Sequence, residues 1–86
     1  MSNIIFGNEY DVLPGLLLAE RRRVGLSQKA LALRMGRSPT HVHKIETRQR
    51  RIEVVEFCRY VWALGGDPVV TLGRFVDCTR GEEMSA

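Results

Sequence analysis

Between Leu26 and Arg51 the chain reads LSQKALALRMGRSPTHVHKIETRQRR, a stretch in which one helix is stopped and another started almost at once. Ser27 is a capping residue able to accept a backbone N–H bond, and the good helix formers Gln28 to Met35 follow it. Gly36 then supplies the left-handed position that ends a helix. Ser38 is a second cap, and Pro39 falls at a first helical position, where its missing N–H costs nothing. Two short helices joined by a tight turn are therefore expected, followed by a basic loop.

The faces of these helices differ. Val42 and Ile45 lie three apart on one side of the second helix, whereas Thr40, Lys44, Thr47 and, at the margins, His43 and Arg48 fall on the other. Ala30, Leu31 and Met35 give the first helix an apolar stripe, so the two helices can share a core and leave one polar face outward.

Gly25-Leu26-Ser27-Gln28, then Leu31-Ala32, Gly36, Ser38, Val42 and Ile45-Glu46 resemble, in register, the helix-turn-helix of the Xre and phage Cro and repressor family. The likeness extends more weakly from Leu13 to about Val76. It implies an all-α, compact five-helix lambda-repressor-like DNA-binding domain with the helix-turn-helix as its second and third helices. In that family an Arg of the first helix pairs with a Glu at the end of the recognition helix. Arg21 and Glu46 match those positions, which implies a structural salt bridge between them. Relatives have a turn rich in Gly, Asn and Lys after that Glu; here Thr47-Arg48-Gln49-Arg50-Arg51 lacks the Gly.

The 86 residues carry a net charge of only +3, but the charge is not spread evenly. From Arg21 to Arg51 there are ten Lys and Arg against the single acid Glu46, a net +9; the remaining residues hold three basic and nine acidic side chains, a net −6. A cationic segment that coincides with the candidate groove helix is the footprint of a phosphate-binding surface, and its many arginines suit bidentate phosphate contact.

One domain is expected at residues 12–76, with an N-terminal arm at 1–11 and a polar, frayed tail at 77–86. Ile4-Ile5-Phe6, closed by Gly7-Asn8, reads as a β-arm, a strap over the core or a loose end, with an arm touching the domain or a partner subunit favoured. A first helix is expected over Val12 to Val24, with Leu13, Leu17 and Val24 near one face. A fourth runs from Ile52 to Leu64, with Val54, Phe57, Cys58, Val61 and Leu64 facing the core and Val55 and Trp62 off that stripe. Asp67-Pro68 opens a fifth helix that ends near Val76. Trp62, Val69, Leu72, Phe75 and Val76 are the expected two-fold dimer interface.

The second helix of the motif would read bases in the major groove through Thr40, His43 and Lys44, with Pro39 and His41 at the margin. No Gln or Asn stands at these positions, so a G·C contact through Lys44 is expected. Ser27, Gln28, Arg37, Thr47, Arg48, Arg50 and Arg51 would hold the phosphate backbone.

His41 and His43, two apart on a helix, do not share a face, so no metal is expected and no other cofactor either. Cys58 and Cys78 belong to no CxxC pair and read as a small apolar residue and an incidental thiol. No phosphate loop, nucleophile elbow or paired carboxylate motif argues for an enzyme. No membrane span or signal sequence is evident, so a cytoplasmic protein is expected.

The function expected is a sequence-specific transcriptional regulator, a homodimer on double-stranded DNA at an inverted-repeat operator. The competing reading is an antitoxin-like module whose main partner is a protein and whose DNA binding is autoregulatory.

Overall fold

The computed structural model describes the backbone of residues 2–85 and the side chains of residues 10–80. Five α-helices follow one another: α1 (Ser2–Val24), α2 (Gln28–Met35), α3 (Pro39–Glu46), α4 (Val54–Ala63) and α5 (Pro68–Ser85). No strand occurs among the described residues. α2 packs on α3 and on α4, while α1 lies against α5 and α3. The all-α class and the helix-turn-helix at α2 and α3 are as expected.

The caps explain the short helices. The Ser27 hydroxyl accepts from the Ala30 N–H at 3.0 Å. Gly36 takes the left-handed conformation at φ 68, and the Arg37 N–H then reaches back to the Ala32 carbonyl at 2.9 Å. The Ser38 hydroxyl accepts from the His41 N–H at 3.3 Å, with Pro39 just inside the helix. At the start of α5 the Asp67 carboxylate accepts from the Val69 N–H at 2.9 Å.

The two ends differ from the sequence reading. α1 already begins at Ser2, so the stretch expected to form an arm is the start of that helix, and α5 continues to Ser85 through the expected tail. Pro14, which can donate no N–H, sits inside α1 and leaves the Tyr10 carbonyl without its helical partner. The Gly7-Asn8 pair, a turn signal in the sequence, is why the helical pattern is hard to follow upstream of Val12. The contacts expected of Ile4-Ile5-Phe6 lie outside the described side chains.

The core joins Leu17 of α1, Leu31, Ala32 and Met35 of α2, Val42 and Ile45 of α3, and Phe57, Tyr60, Val61 and Leu64 of α4. Val54 is 77% exposed rather than core-facing, because it opens α4 and its side chain precedes the packed turns. Val24, at the last turn of α1, is likewise exposed, and Cys58 is half-buried. Tyr60, absent from the expected stripe, is one of the largest fully buried side chains. None of the described helices is long and apolar enough to cross a membrane.

Candidate nucleic-acid interface

α3 is held from behind. Val42 and Ile45 are essentially without solvent contact, which fixes its rotation and puts Pro39, Thr40, His43 and Lys44 on the exposed side. Its C-terminal end is fixed by Glu46. Arg21 Nε donates to Glu46 Oε2 at 2.6 Å and Arg21 Nη2 to Oε1 at 2.9 Å, a two-pronged pair across 25 residues of chain. Arg21 Nη1 also donates to the Leu26 carbonyl at 2.8 Å, so the same guanidinium fastens the loop entering α2.

Two further donors reach Glu46: Gln28 Nε2 at 2.9 Å and the Tyr60 hydroxyl at 2.5 Å. The Tyr60 oxygen also lies 3.1 Å from the Leu17 carbonyl, so four of the five helices meet at this one carboxylate. Burial pushes the Glu46 carboxyl upward, yet the hydrogen bonds from Arg21, Tyr60 and Gln28 outweigh it and hold it below the ordinary carboxylate value. Burial first, and then the neighbouring Glu46 carboxylate, drive the Tyr60 phenol well above its usual value.

The Gln28–Glu46 and Tyr60–Glu46 bonds are not indicated by the two-residue Arg–Glu match in the sequence. Tyr60 does sit three residues beyond Phe57 and four before Leu64, the spacing of the buried stripe, which is the signal that could have placed it.

The expected backbone-gripping residues fall into two groups. Arg37 and Arg51 are exposed, and no side-chain partner holds Arg51 among the described residues. Ser27 is exposed at the start of α2, where its hydroxyl serves the cap. The others are engaged within the protein. Gln28 is turned toward Glu46, with its amide 3.4 Å from His43 Nδ1. The Thr47 hydroxyl donates to the His43 carbonyl at 2.8 Å. Arg48 pairs with Asp11 of α1 at 2.6 Å, and Arg50 with Glu56 of α4 at 2.5 Å.

Arg48 also resolves the shape of the loop that lacks a glycine. It adopts φ 64, the left-handed position a Gly would fill, and the Gln49 N–H closes the helix end on the Lys44 carbonyl at 2.9 Å. The turn is thus made in spite of its sequence.

His41 does not stand with the other side chains expected to read bases. It is half-buried against α4, with Nε2 3.4 Å from Glu56 Oε2, because the first turn of α3 rotates this position inward between Thr40 and Val42. Burial first, then the positive charge of Arg50, lowers its ring below the ordinary histidine value; Glu56 opposes the shift and Arg37 adds to it. Among the described residues no three His, Cys, Asp or Glu side chains gather as a metal site would require.

The exposed α3 face and its arginine border are the geometry of a helix that lies in the major groove with basic side chains beside it. A helix-turn-helix domain family matches residues 15–72. The fold is similar to that of a solved XRE-family like protein from Pseudomonas syringae pv. tomato str. DC3000, with a TM-score of 0.82 and 36% identity. That likeness covers 91% of this chain and 95% of the other. Among curated proteins compared by sequence, none matches. With the match spanning most of the domain and the α2–α3 geometry in place, this chain belongs to the XRE-like helix-turn-helix family of DNA-binding regulators.

Proposed function

We propose that the protein is a sequence-specific transcriptional regulator that binds an inverted-repeat operator as a homodimer. The observation that carries this reading is the outward face of α3, where Thr40 and Lys44 stand exposed while Val42 and Ile45 anchor the helix behind them. Thr40, His43 and Lys44, with Pro39 beside them, read base edges, and Lys44 donates to guanine O6 and N7. His41 supports α3 from behind. Ser27 and the N-terminus of α2 face the phosphates with Arg37 and Arg51; Arg48 joins them when it parts from Asp11, and Arg50 when it parts from Glu56.

Dimerisation is supported by the apolar side chains that the monomer leaves uncovered. Trp62 is 63% exposed and Val69 77%, and Leu72 and Val76 are also open, with Phe75 half-buried beside them. Contact through α4 and α5 between two copies would present two α3 helices to half-sites about one helical turn apart. No catalytic step belongs to this reading.

The test is a gel shift against DNA upstream of the protein's own gene, repeated across salt concentrations. A steep loss of affinity with salt, and protection of a two-fold symmetric site, are expected. A flat salt response, or equal binding to all sequences, would reject the reading.

A further inference from the structure

Glu56 is a buried carboxylate with two suitors. Oε2 is 2.5 Å from Arg50 Nη2 and 3.4 Å from His41 Nε2. The side chains of Glu56 and His41 are only 10% and 13% exposed, and neither His41 Nε2 nor Glu56 Oε1 has a hydrogen-bond partner among the described residues. Two polar atoms on neighbouring side chains are thus left without a partner within the protein, whereas Glu46 accepts four bonds.

The charged groups facing His41 come from three elements: Arg50 from the loop after α3, Glu56 from α4 and Arg37 from the α2–α3 turn. The first turn of α3 carries the ring and also disfavours a positive charge there. With Arg50 in place, burial and the arginine's positive charge disfavour protonation of the ring, and Glu56 Oε2 is taken by the arginine. An arginine 41% exposed at its side chain is free to swing outward.

We infer that Glu56 changes partner when the protein binds duplex DNA: Arg50 leaves it for a phosphate, and His41 takes a proton from solvent and donates Nε2–H to the carboxylate. Binding is thereby coupled to uptake of one proton per protomer. Phosphate neutralises Arg37 and Arg50 together, which removes the charges that oppose imidazolium and leaves Glu56 to stabilise it. The affinity for DNA therefore falls as pH rises through the window in which His41 is protonated only in the complex. The slope is at most about tenfold per pH unit for one proton.

The inference rests on the DNA-binding reading and on the phosphate role of Arg50, so its test needs no operator. The full chain is titrated with a short mixed-sequence duplex at low salt, between about pH 5.5 and about pH 8, where histidine is the side chain that ordinarily titrates. The chain has two histidines. A His43→Gln background therefore leaves His41 as the one to follow, and slopes are compared within that background. Expected are a several-fold loss of affinity across the range, binding heats that vary with the ionisation heat of the buffer, and a His41 ring NMR titration moved to higher pH by DNA. Adding His41→Gln or Glu56→Gln should flatten the pH dependence, and Glu56→Gln should tighten binding at the alkaline end. An unchanged slope in the His41→Gln protein, or a His41 titration that DNA does not move, overturns the coupling while leaving DNA binding intact. Absence of binding to any duplex at any pH overturns both. The ring titration needs no substitution at Glu56, so an unfolded Glu56→Gln protein does not shield the inference.

Discussion

Arg21 and Glu46 meet edge to edge, Nε to Oε2 at 2.6 Å and Nη2 to Oε1 at 2.9 Å, with their side chains 10% and 2% exposed. A carboxylate this enclosed is costly to leave charged without its cation, and the cation without its carboxylate is no better. Glu46→Gln should therefore lower unfolding free energy by about 3 kcal/mol, the usual cost of breaking a buried pair from one side. Urea denaturation measures it. A midpoint equal to the wild type would show that the pair holds nothing, whereas a loss accompanied by weaker DNA binding would place its effect on the α3 end.

The same carboxylate makes stability depend on pH. Glu46 titrates below its ordinary value of 4.5 in the folded protein, so it binds its proton more readily once unfolded. Its contribution is complete above the unfolded value and is lost as pH falls through the folded one. The urea midpoint should decline on acidification below about pH 4.5, and decline less in Glu46→Gln, whose amide does not titrate there. Parallel declines in both proteins would assign the acid sensitivity to other carboxylates.

The Arg21–Glu46 pair was legible because both residues sit at family positions. The hub around them was not, because Gln28 and Tyr60 carry no local sign of pointing at one carboxylate. Their bonds depend on how α2 and α4 cross α3, which is a tertiary outcome. The helix-turn-helix itself was legible from Ser27, Gly36, Ser38 and Pro39, since caps act within a few residues of chain. His41 and Arg50 illustrate the limit at the interface. Periodicity marks one as polar and the other as basic, yet both are claimed by Glu56, whose burial the helical stripe of α4 did not announce.

Arg48 at φ 64 holds a conformation that costs a residue with a side chain about 1 kcal/mol or more relative to glycine. Its pair with Asp11 is half-exposed and offsets little of that, about 0–1 kcal/mol. Arg48→Gly should thus stabilise the fold, by up to about 1 kcal/mol, while Arg48→Ala should not, because it removes the charge and keeps the strain. Thermal and urea unfolding of the two variants compare these terms directly. A glycine variant no more stable than the alanine one would mean that the left-handed turn carries no strain.

Lys44 and Arg51 should separate reading from gripping. Both are exposed, but Lys44 stands on the outward face of α3 and Arg51 in the loop after it. Lys44→Ala should cost about 1–3 kcal/mol on the cognate site and little on random DNA, with the loss confined to one base position. Arg51→Ala should weaken all sequences alike and reduce the slope of log affinity against log salt by about 1. Competition binding with single-base variants of the site checks the first, and a salt series the second. Equal losses for Lys44→Ala on cognate and random DNA would make Lys44 a phosphate contact instead.

The uncovered apolar residues of α4 and α5 give the last prediction. Trp62 and Val69 are 63% and 77% exposed, so a charge placed at either meets solvent in the monomer and disturbs little of its core. In a dimer that buries them, the same charge would be desolvated without a partner, which costs several kcal/mol at each of two symmetric positions. Val69→Glu should therefore shift sedimentation equilibrium from dimer toward monomer, leave the helical circular dichroism unchanged, and weaken binding to a two-fold site far more than to a half-site. A wild-type chain that sediments as a monomer at all accessible concentrations, bound to DNA or free, would remove the two-fold arrangement and with it the inverted-repeat form of the operator.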